Sequence, residues 1–306
     1  MKKDLIITVV NYAFCFVCGV LLFRIAARGF GPVGFGEYAL IRRTVSFMQP
    51  VLLMGLGVGL VRYIAISSAK GGNGSKQAAY IIAGYGSVLL FSLLILSVVN
   101  LMPELAGKAV FGKPGYGDYV RIISLLCESY LVSALVFTYY RGNGKFLTAN
   151  IITAFTQGIV PLSALLLTGS VKSALEAVAA GIFLVSFVFS VPVIMAVLPR
   201  LKGIEIVSSL RELLRYGLAR VPGDISMAAF LALPAFLTAH LFGIKEAGYV
   251  AFGISLVGMV GDIFAPVGLI TLPKMSSILS EGRHDEAKMI LQRIIKYTIL
   301  ISAGVS

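Results

Sequence analysis

The chain has 306 residues, of which 58% are hydrophobic and only 13% are charged, and its mean hydropathy is +0.93. Soluble domains carry about 25% charged residues, so this composition excludes an ordinary soluble globular protein. The net charge of +12 is spread over short loops without a basic domain, which argues against a nucleic-acid-binding protein and for a membrane topology signal.

Long apolar runs predict an all-α polytopic membrane protein, because each run is long enough to cross a hydrocarbon core about 30 Å thick. We expect spans at 5–26, 40–65, 78–101, 117–139, 147–169, 175–198, 217–241 and 248–273. A last apolar stretch begins near Ile294 and stops at Ser306. That stretch is too short to cross as a helix, so we expect the chain to be truncated.

The distribution of basic residues predicts the orientation of these spans. With the N-terminus inside, most loop lysines and arginines fall on the inner side, including Lys2, Lys3, Arg141 and Arg200. Positive loops favour the cytoplasmic side. The sequence therefore predicts a multi-pass protein of the cell (inner or plasma) membrane with a cytoplasmic N-terminus.

The connection at 201–216 predicts a division of the chain into two lobes. Its apolar residues recur at helical spacing beside Arg211, Glu212 and Arg215, which is typical of an amphipathic helix at a membrane surface. We expect a six-helix lobe at 1–200, a cytoplasmic connector at 201–216, and a partial second lobe at 217–306 with two spans and the start of a third.

A short internal repeat supports this division. The pair Phe30-Gly31 is followed by Gly36, and the pair Phe242-Gly243 is followed by Gly248 at the same spacing, about 212 residues later. Both copies join an outward span to an inward one, and parallel repeats are one way in which carriers build two lobes around a central site.

Arginines flank the first of these corners, the Gly/Pro-rich run at 30–36. We place Arg24 in the last turn of span one, Arg28 in the loop, and Arg42 and Arg43 in the first turns of span two. Snorkelling of long side chains to the interface is the alternative, above all for Arg28. Together the four predict a cationic, substrate-binding cavity wall, since arginine offers a bidentate fork to pyrophosphate, phosphate or carboxylate.

Two acids lie deeper in the apolar spans. Glu128 is near the middle of span four and Asp262 near the middle of span eight, so neither short side chain reaches the interface. Such carboxylates pair with a cation or relay ions, which leaves an ion pair with an arginine and H⁺ or Na⁺ coupling both open.

Motifs for catalysis are not found in the sequence. It contains no zinc-ligand cluster and no phosphate-binding P-loop. We therefore expect a protein that is not an enzyme, with no catalytic residues, no metal and no cofactor.

Three stretches resemble a known family. They are FGPVGFGEYAL followed by a glycine-rich segment and LVRYIA, then YYRGNGKFLTAN, and finally the run from ELLRYGLARVPGDI through FGIKEAGYVAF to LPKMSS. In these stretches the chain is similar to the Wzx-type oligosaccharide flippases. That family belongs to the superfamily that also includes the multidrug (MATE-like) antiporters and the lipid II flippase.

The resemblance implies a two-lobed helical transporter that works by alternating access around a cationic cavity. Its implied cargo is a polyprenyl-pyrophosphate-linked oligosaccharide, moved from the inner to the outer leaflet for surface polysaccharide or lipopolysaccharide biosynthesis. The implied partners are this glycolipid, membrane lipids and glycan polymerase or assembly proteins, without nucleic acid. The alternatives are a cation-coupled multidrug antiporter of the same superfamily and a non-transporting scaffold in a glycan assembly complex.

Overall fold

The computed structural model describes residues 2–69, 74–200 and 205–259, with short pieces at 261, 284–285, 288–292 and 295–296. The described residues contain helices and no strand. In chain order the helices are α1 (Lys2–Gly29), α2 (Gly31–Leu53), α3 (Leu56–Ala69), α4 (Gly74–Leu101), α5 (Pro103–Phe111), α6 (Gly117–Gly142), α7 (Phe146–Ala154), a π-helical turn (Phe155–Ile159), α8 (Val160–Leu167), α9 (Val171–Val197), a 3₁₀ turn (Leu198–Arg200), α10 (Ile206–Leu218), α11 (Val221–Leu241) and α12 (244–259).

The described helices confirm the all-α polytopic class. Six of them are long and apolar enough to cross a membrane, and the bent pair α2 and α3 makes a seventh if the two helices are counted as one span. The predicted eighth span, 248–273, is helical as far as 259, and its remainder lies outside the described residues. The predicted final stretch from Ile294 lies almost wholly outside them.

The first corner is shorter than predicted. Helix α1 continues to Gly29 and α2 begins at Gly31, so Phe30 alone separates them. Gly31 has φ +67°, a left-handed conformation that glycine adopts without strain, and proline occupies the first turn of α2, where its missing N–H costs nothing. The run at 30–36 therefore starts a helix, and its prediction as a loop was wrong.

This shift changes the depth of three arginines. Arg28 lies in the last turn of α1 rather than in a loop. Arg42 and Arg43 lie in the middle of α2 rather than in its first turns, about 18 Å along the helix from the corner at 1.5 Å per residue. With the corner at one interface of a hydrocarbon core about 30 Å thick, that distance corresponds to the middle of the membrane.

The second span bends at a glycine, which also admits a close neighbour. The axes of α2 and α3 differ by 50°, and the break is at Met54 (φ 51°) and Gly55 (φ 68°). A Cβ atom on Gly55 would collide with the backbone carbonyl of Gly217 in α10. The bend therefore places α10 directly against α3.

Helix α10 confirms the predicted amphipathic helix over 206–218. Leu213 is fully buried, while Arg211 and Arg215 are exposed. Glu212 accepts a hydrogen bond from Tyr80 of α4 and lies 3.8 Å from the Lys76 amino group. Apolar packing on one face and ion pairing at its edge hold α10 against α3 and α4. The division into two lobes at this connector stays a prediction.

The second corner repeats the geometry of the first. Gly243 has φ +111° and separates α11 from α12. The two corners also touch, because a Cβ atom on Gly248 would lie 2.5 Å from the Cα atom of Gly36, and one on Gly36 would collide with the Ile244 carbonyl. Only glycine at both positions allows α2 and α12 to approach this closely.

Candidate functional site

Two neighbouring cavities lie inside the helical bundle. The main cavity has a volume of about 360 Å³ and is lined by residues of α1, α2, α6, α7, the π-helical turn and α12. The small cavity measures about 60 Å³ and lies between α2, α6, α8, α9 and the same turn. Arg42 and Gln157 border both cavities, so these two side chains mark the centre of the candidate site.

The guanidinium of Arg42 is held by aromatic rings. Its central carbon lies 5.2 Å from the ring centroid of Phe23 and 5.8 Å from that of Tyr38. Its Nη1 atom is buried and has no hydrogen-bond partner among the described residues. A cation–π contact leaves N–H groups unused, and a buried donor without a partner costs about 1–3 kcal/mol. Arg42 thus keeps an N–H group whose hydrogen bond no described residue accepts.

The main cavity is positively charged and carries polar groups beside apolar ones. Its polar groups include amides and hydroxyls together with two arginines, and no described lining residue is Asp or Glu. The residues with these groups are Asn11, Tyr12, Asn150, Thr153, Gln157, Arg42 and Arg141. A cavity of one charge sign in a low-dielectric surrounding attracts the opposite sign, so the geometry favours an anionic ligand with many hydrogen-bonding groups.

Gln157 occupies the π-helical turn Phe155–Ile159. Single π-helical turns inside α-helices are rare and often occur at functional sites. The next residue, Gly158, packs tightly on α1, since a Cβ atom there would lie 2.9 Å from the Phe14 ring. Close packing of this turn against α1 places the Gln157 amide at the border of both cavities.

A small amide network closes one side of the main cavity. Asn11 of α1 donates to the Asn150 side-chain oxygen of α7 at 3.4 Å, and the Asn150 amide donates to the Thr8 hydroxyl at 3.0 Å. Asn11 and Asn150 are both buried. These bonds fix α1 against α7 and orient the two amides that line the cavity.

Arg43 contacts α12, whereas Arg42 contacts the aromatic rings of α1 and α2. Its Nη2 atom donates to the Ser255 hydroxyl at 2.7 Å and to the Ala251 carbonyl at 3.3 Å, both in α12. Its Nε atom is buried without a partner among the described residues. In this structure Arg43 therefore joins α2 to α12 and does not border the two cavities.

The corner end of the bundle is closed by aromatic side chains. The ring centroid of Phe252 lies 5.0 Å from that of Phe23 and 5.9 Å from that of Phe35. The main cavity extends the other way, towards Arg141 in the last turn of α6. A ligand in this cavity is thus shut off from the corner side.

The same end is reinforced by Glu37 of α2. Its carboxylate accepts hydrogen bonds from Tyr116 at 3.0 Å and from Tyr119 at 2.7 Å. Burial, together with the Glu37 carboxylate, raises the pKa of the Tyr116 hydroxyl to about 12, so this hydroxyl stays a donor at neutral pH. Glu37 thereby ties α2 to the start of α6.

Two of the predicted arginines lie elsewhere. Arg24 and Arg28 are both exposed on α1, and neither borders the cavities that Arg42 borders. Phe23 faces Arg42, and the next helical position is turned by about 100° from it. The expected convergence of all four arginines is therefore not formed; only the α2 pair lies at mid-depth.

Glu128 forms no ion pair with any described basic residue, and its Oε1 atom is buried without a hydrogen-bond partner among them. Leu126 and Tyr130 border the small cavity beside Arg42. Glu128 is two positions from each, on the opposite side of α6. The predicted ion pair with an arginine is thus absent among the described residues, and ion coupling stays a prediction. Asp262 lies outside the described residues.

The sequence interpretation missed the amides of the site. Asn11, Asn150 and Gln157 are polar residues inside apolar spans, and Arg141 appeared to belong only to a loop. Polar groups in a membrane segment face the bundle interior or a cavity, so amides inside apolar spans indicate a site as charges do. Their convergence still depends on how α1, α6 and α7 pack.

Comparison with known proteins identifies the family. A model of the polysaccharide biosynthesis protein family matches residues 25–304. The chain belongs to this family. No curated protein matches the sequence. Among solved structures, a MOP superfamily transporter from Pyrococcus furiosus is similar, with a TM-score of 0.51 and 16% sequence identity, over 90% of this chain and 71% of the other.

Family and fold together confirm the resemblance to polysaccharide exporters. At 16% identity the structural likeness shows the fold, which is that of a MOP superfamily transporter. The Pyrococcus protein is described as having a binding pocket of reversed polarity that suggests a different function. The present family member is a multi-pass membrane protein of polysaccharide biosynthesis with a transporter fold.

Proposed function

We propose that this protein is a flippase for polyprenyl-pyrophosphate-linked oligosaccharides, moving them from the inner to the outer leaflet of the cell membrane. The observation that carries the proposal is Arg42, which borders a cavity without described acids and whose Nη1 atom lacks a hydrogen-bond partner among the described residues. Family membership supports a glycan-related cargo.

The pyrophosphate would bind Arg42. Placing an arginine at the centre of a membrane helix costs about 2.5–3.5 kcal/mol on insertion scales, and the two aromatic rings offset part of this cost. A pyrophosphate accepts charge-assisted hydrogen bonds from the guanidinium fork. Binding the substrate would thus supply the interaction that Arg42 lacks in this structure.

The glycan would contact the amides of the main cavity. Asn11, Asn150 and Gln157 each offer donors and an acceptor, which match the hydroxyl groups of sugars. The polyprenyl chain would remain in the surrounding lipid, since it gains nothing from entering a polar cavity.

Alternating access would separate the two corners. With a cytoplasmic N-terminus, the corners face outward and the main cavity lies towards the inside, so this structure would be inward-facing. Moving the cargo outward would break the contacts of Gly36 with Gly248 and of Arg43 with Ser255. H⁺ or Na⁺ binding at Glu128 or Asp262 would drive the cycle, and glycan assembly proteins would receive the product.

The multidrug antiporter alternative is less well supported. A carrier of organic cations needs acids that balance the cargo's charge inside the membrane. The described lining of the main cavity has two arginines and no acid, which would repel such a cargo.

The proposal is tested by reconstituting the purified protein into liposomes. We expect translocation of a fluorescent polyprenyl-pyrophosphate oligosaccharide and no transport of a cationic dye. Dye transport without glycolipid translocation would overturn the proposed substrate class.

A further inference from the structure

An apolar groove lies outside the bundle, between α4 and α9. Its floor is α6, which contributes Val132, Leu135 and Val136, and its volume is about 460 Å³. The walls are almost entirely hydrocarbon, with Gly86 on the α4 side and Ile194 on the α9 side. Both wall residues are exposed, so the groove is open laterally along the bundle.

The packing of three helices creates this groove. Helices α4 and α9 both pack against α6, and the turn Leu198–Arg200 that follows α9 contacts α4. The groove therefore has a floor along its length and a stop at the Leu198 end. Protein interiors and their surroundings are close-packed, so a groove among membrane spans requires a hydrocarbon occupant.

Two cations lie at the Leu198 end. Arg200 donates from Nη1 to the Gln77 side-chain oxygen at 3.2 Å, and Gln77 precedes the groove residue Ile81 by about one helical turn. Lys76 is adjacent in sequence, with 55% of its side chain exposed and its amino group 3.8 Å from Glu212. The apolar groove thus ends beside two groups that attract phosphate.

The groove is separate from the cavities at Arg42. Phe137 and Arg141 border the main cavity from α6, whereas the groove uses another side of the same helix. A lipid whose phosphate contacts Arg42 would have α6 between itself and the groove. The groove therefore fits a second lipid rather than the chain of a substrate bound at Arg42.

We propose that the groove holds one acyl chain of an anionic phospholipid, whose phosphate is bound by Arg200 and Lys76. The chain fills the space between α4 and α9, and the headgroup lies at the membrane surface beside α10. This lipid is a resident partner that joins the α4 and α9 walls over the α6 floor.

Native mass spectrometry of the purified protein with phosphatidylglycerol or phosphatidylcholine tests the proposal. We expect one phosphatidylglycerol retained in preference to phosphatidylcholine. Arg200→Ala and Lys76→Ala should each lower this preference about fivefold, the effect of one basic residue at a membrane surface. Arg211→Ala, an exposed arginine of α10, is the matched control and should leave it unchanged.

Filling the groove gives an independent test. A Cβ atom on Gly86 meets nothing within 4 Å, so Gly86→Phe should fold and abolish retention of phosphatidylglycerol. Ile194→Trp, on the other wall with 52% of its residue surface exposed, should do the same. The proposal would be overturned if the wild type retained both lipids equally, or if both filled variants retained phosphatidylglycerol as the wild type does. Displacement of phosphatidylglycerol by equimolar polyprenyl phosphate would also overturn it.

Discussion

Arg43 donates a 2.7 Å hydrogen bond to Ser255, and the two residues are 212 positions apart in the chain. The touching glycines Gly36 and Gly248 have the same separation as the repeated corners. Both contacts therefore join positions that correspond in the internal repeat, and both hold α2 against α12.

The bond between Arg43 and Ser255 should contribute measurably to stability. A double-mutant cycle with Arg43→Ala and Ser255→Ala should give a coupling energy of about 1 kcal/mol, in the range found for hydrogen bonds between membrane helices. The measurement is the free energy of unfolding in a detergent titration. Pairing Arg43→Ala with Ser226→Ala, an exposed serine of α11, should be additive. Additivity of the Arg43 and Ser255 variants would contradict a direct bond.

The glycine contact should control opening of the corner end. In a background without Cys15, Cys18 and Cys127, a cysteine replacing the buried Ala251 reports separation of α12 from α2 by its rate of thiol labelling. Gly248→Ala forces a Cβ atom to 2.5 Å from Gly36. We expect about tenfold faster labelling, since overpacking costs about 1–3 kcal/mol.

The matched control for this opening is Gly253→Ala. A Cβ atom at Gly253 meets nothing within 4 Å, and this glycine lies on the same helix. Its labelling rate should equal that of the parent. If Gly248→Ala also labels at the parent rate, the glycine contact does not hold the corners together.

Glu128→Gln should fold with little loss of stability. Removing one member of a buried ion pair costs about 3–5 kcal/mol, but Glu128 has no ion pair among the described residues, and its Oε1 lacks a hydrogen-bond partner there. We expect the free energy of unfolding to change by less than about 1 kcal/mol. A loss of 3 kcal/mol or more would show that a cation pairs with this carboxylate.

Local features of the fold were predictable from the sequence. Apolar runs located the spans, helical spacing located α10, and the repeated glycines located both corners. The depth of Arg42 was not predictable in the same way, because the run at 30–36 has the composition of a loop. Proline is also common in the first turn of a helix. Here α2 begins at this proline-containing turn, so Arg42 lies at mid-depth rather than near the helix start.

The candidate site depended on packing that the sequence does not display. Arg42 was identified because a charge in an apolar span is conspicuous. Gln157 borders both cavities only because a π-helical turn packs against α1. Glu128 does not reach Arg42, because it lies on the opposite side of α6. Arg24 does not reach the cavities, because it follows Phe23 on α1 and is turned away from Arg42. Such relationships can be predicted only when the positions of the neighbouring helices are known.

Translocation of a fluorescent polyprenyl-pyrophosphate oligosaccharide by Arg42 variants in liposomes tests the central claim most directly. Arg42→Ala should slow translocation at least tenfold, since a hydrogen bond to a charged group contributes about 1.5–3 kcal/mol. Arg42→Lys should be intermediate, because it keeps the charge but loses the fork. Lys108→Ala, an exposed cation of α5, is the control and should match the wild type. Wild-type translocation by Arg42→Ala would contradict the assignment of Arg42 as the pyrophosphate-binding residue.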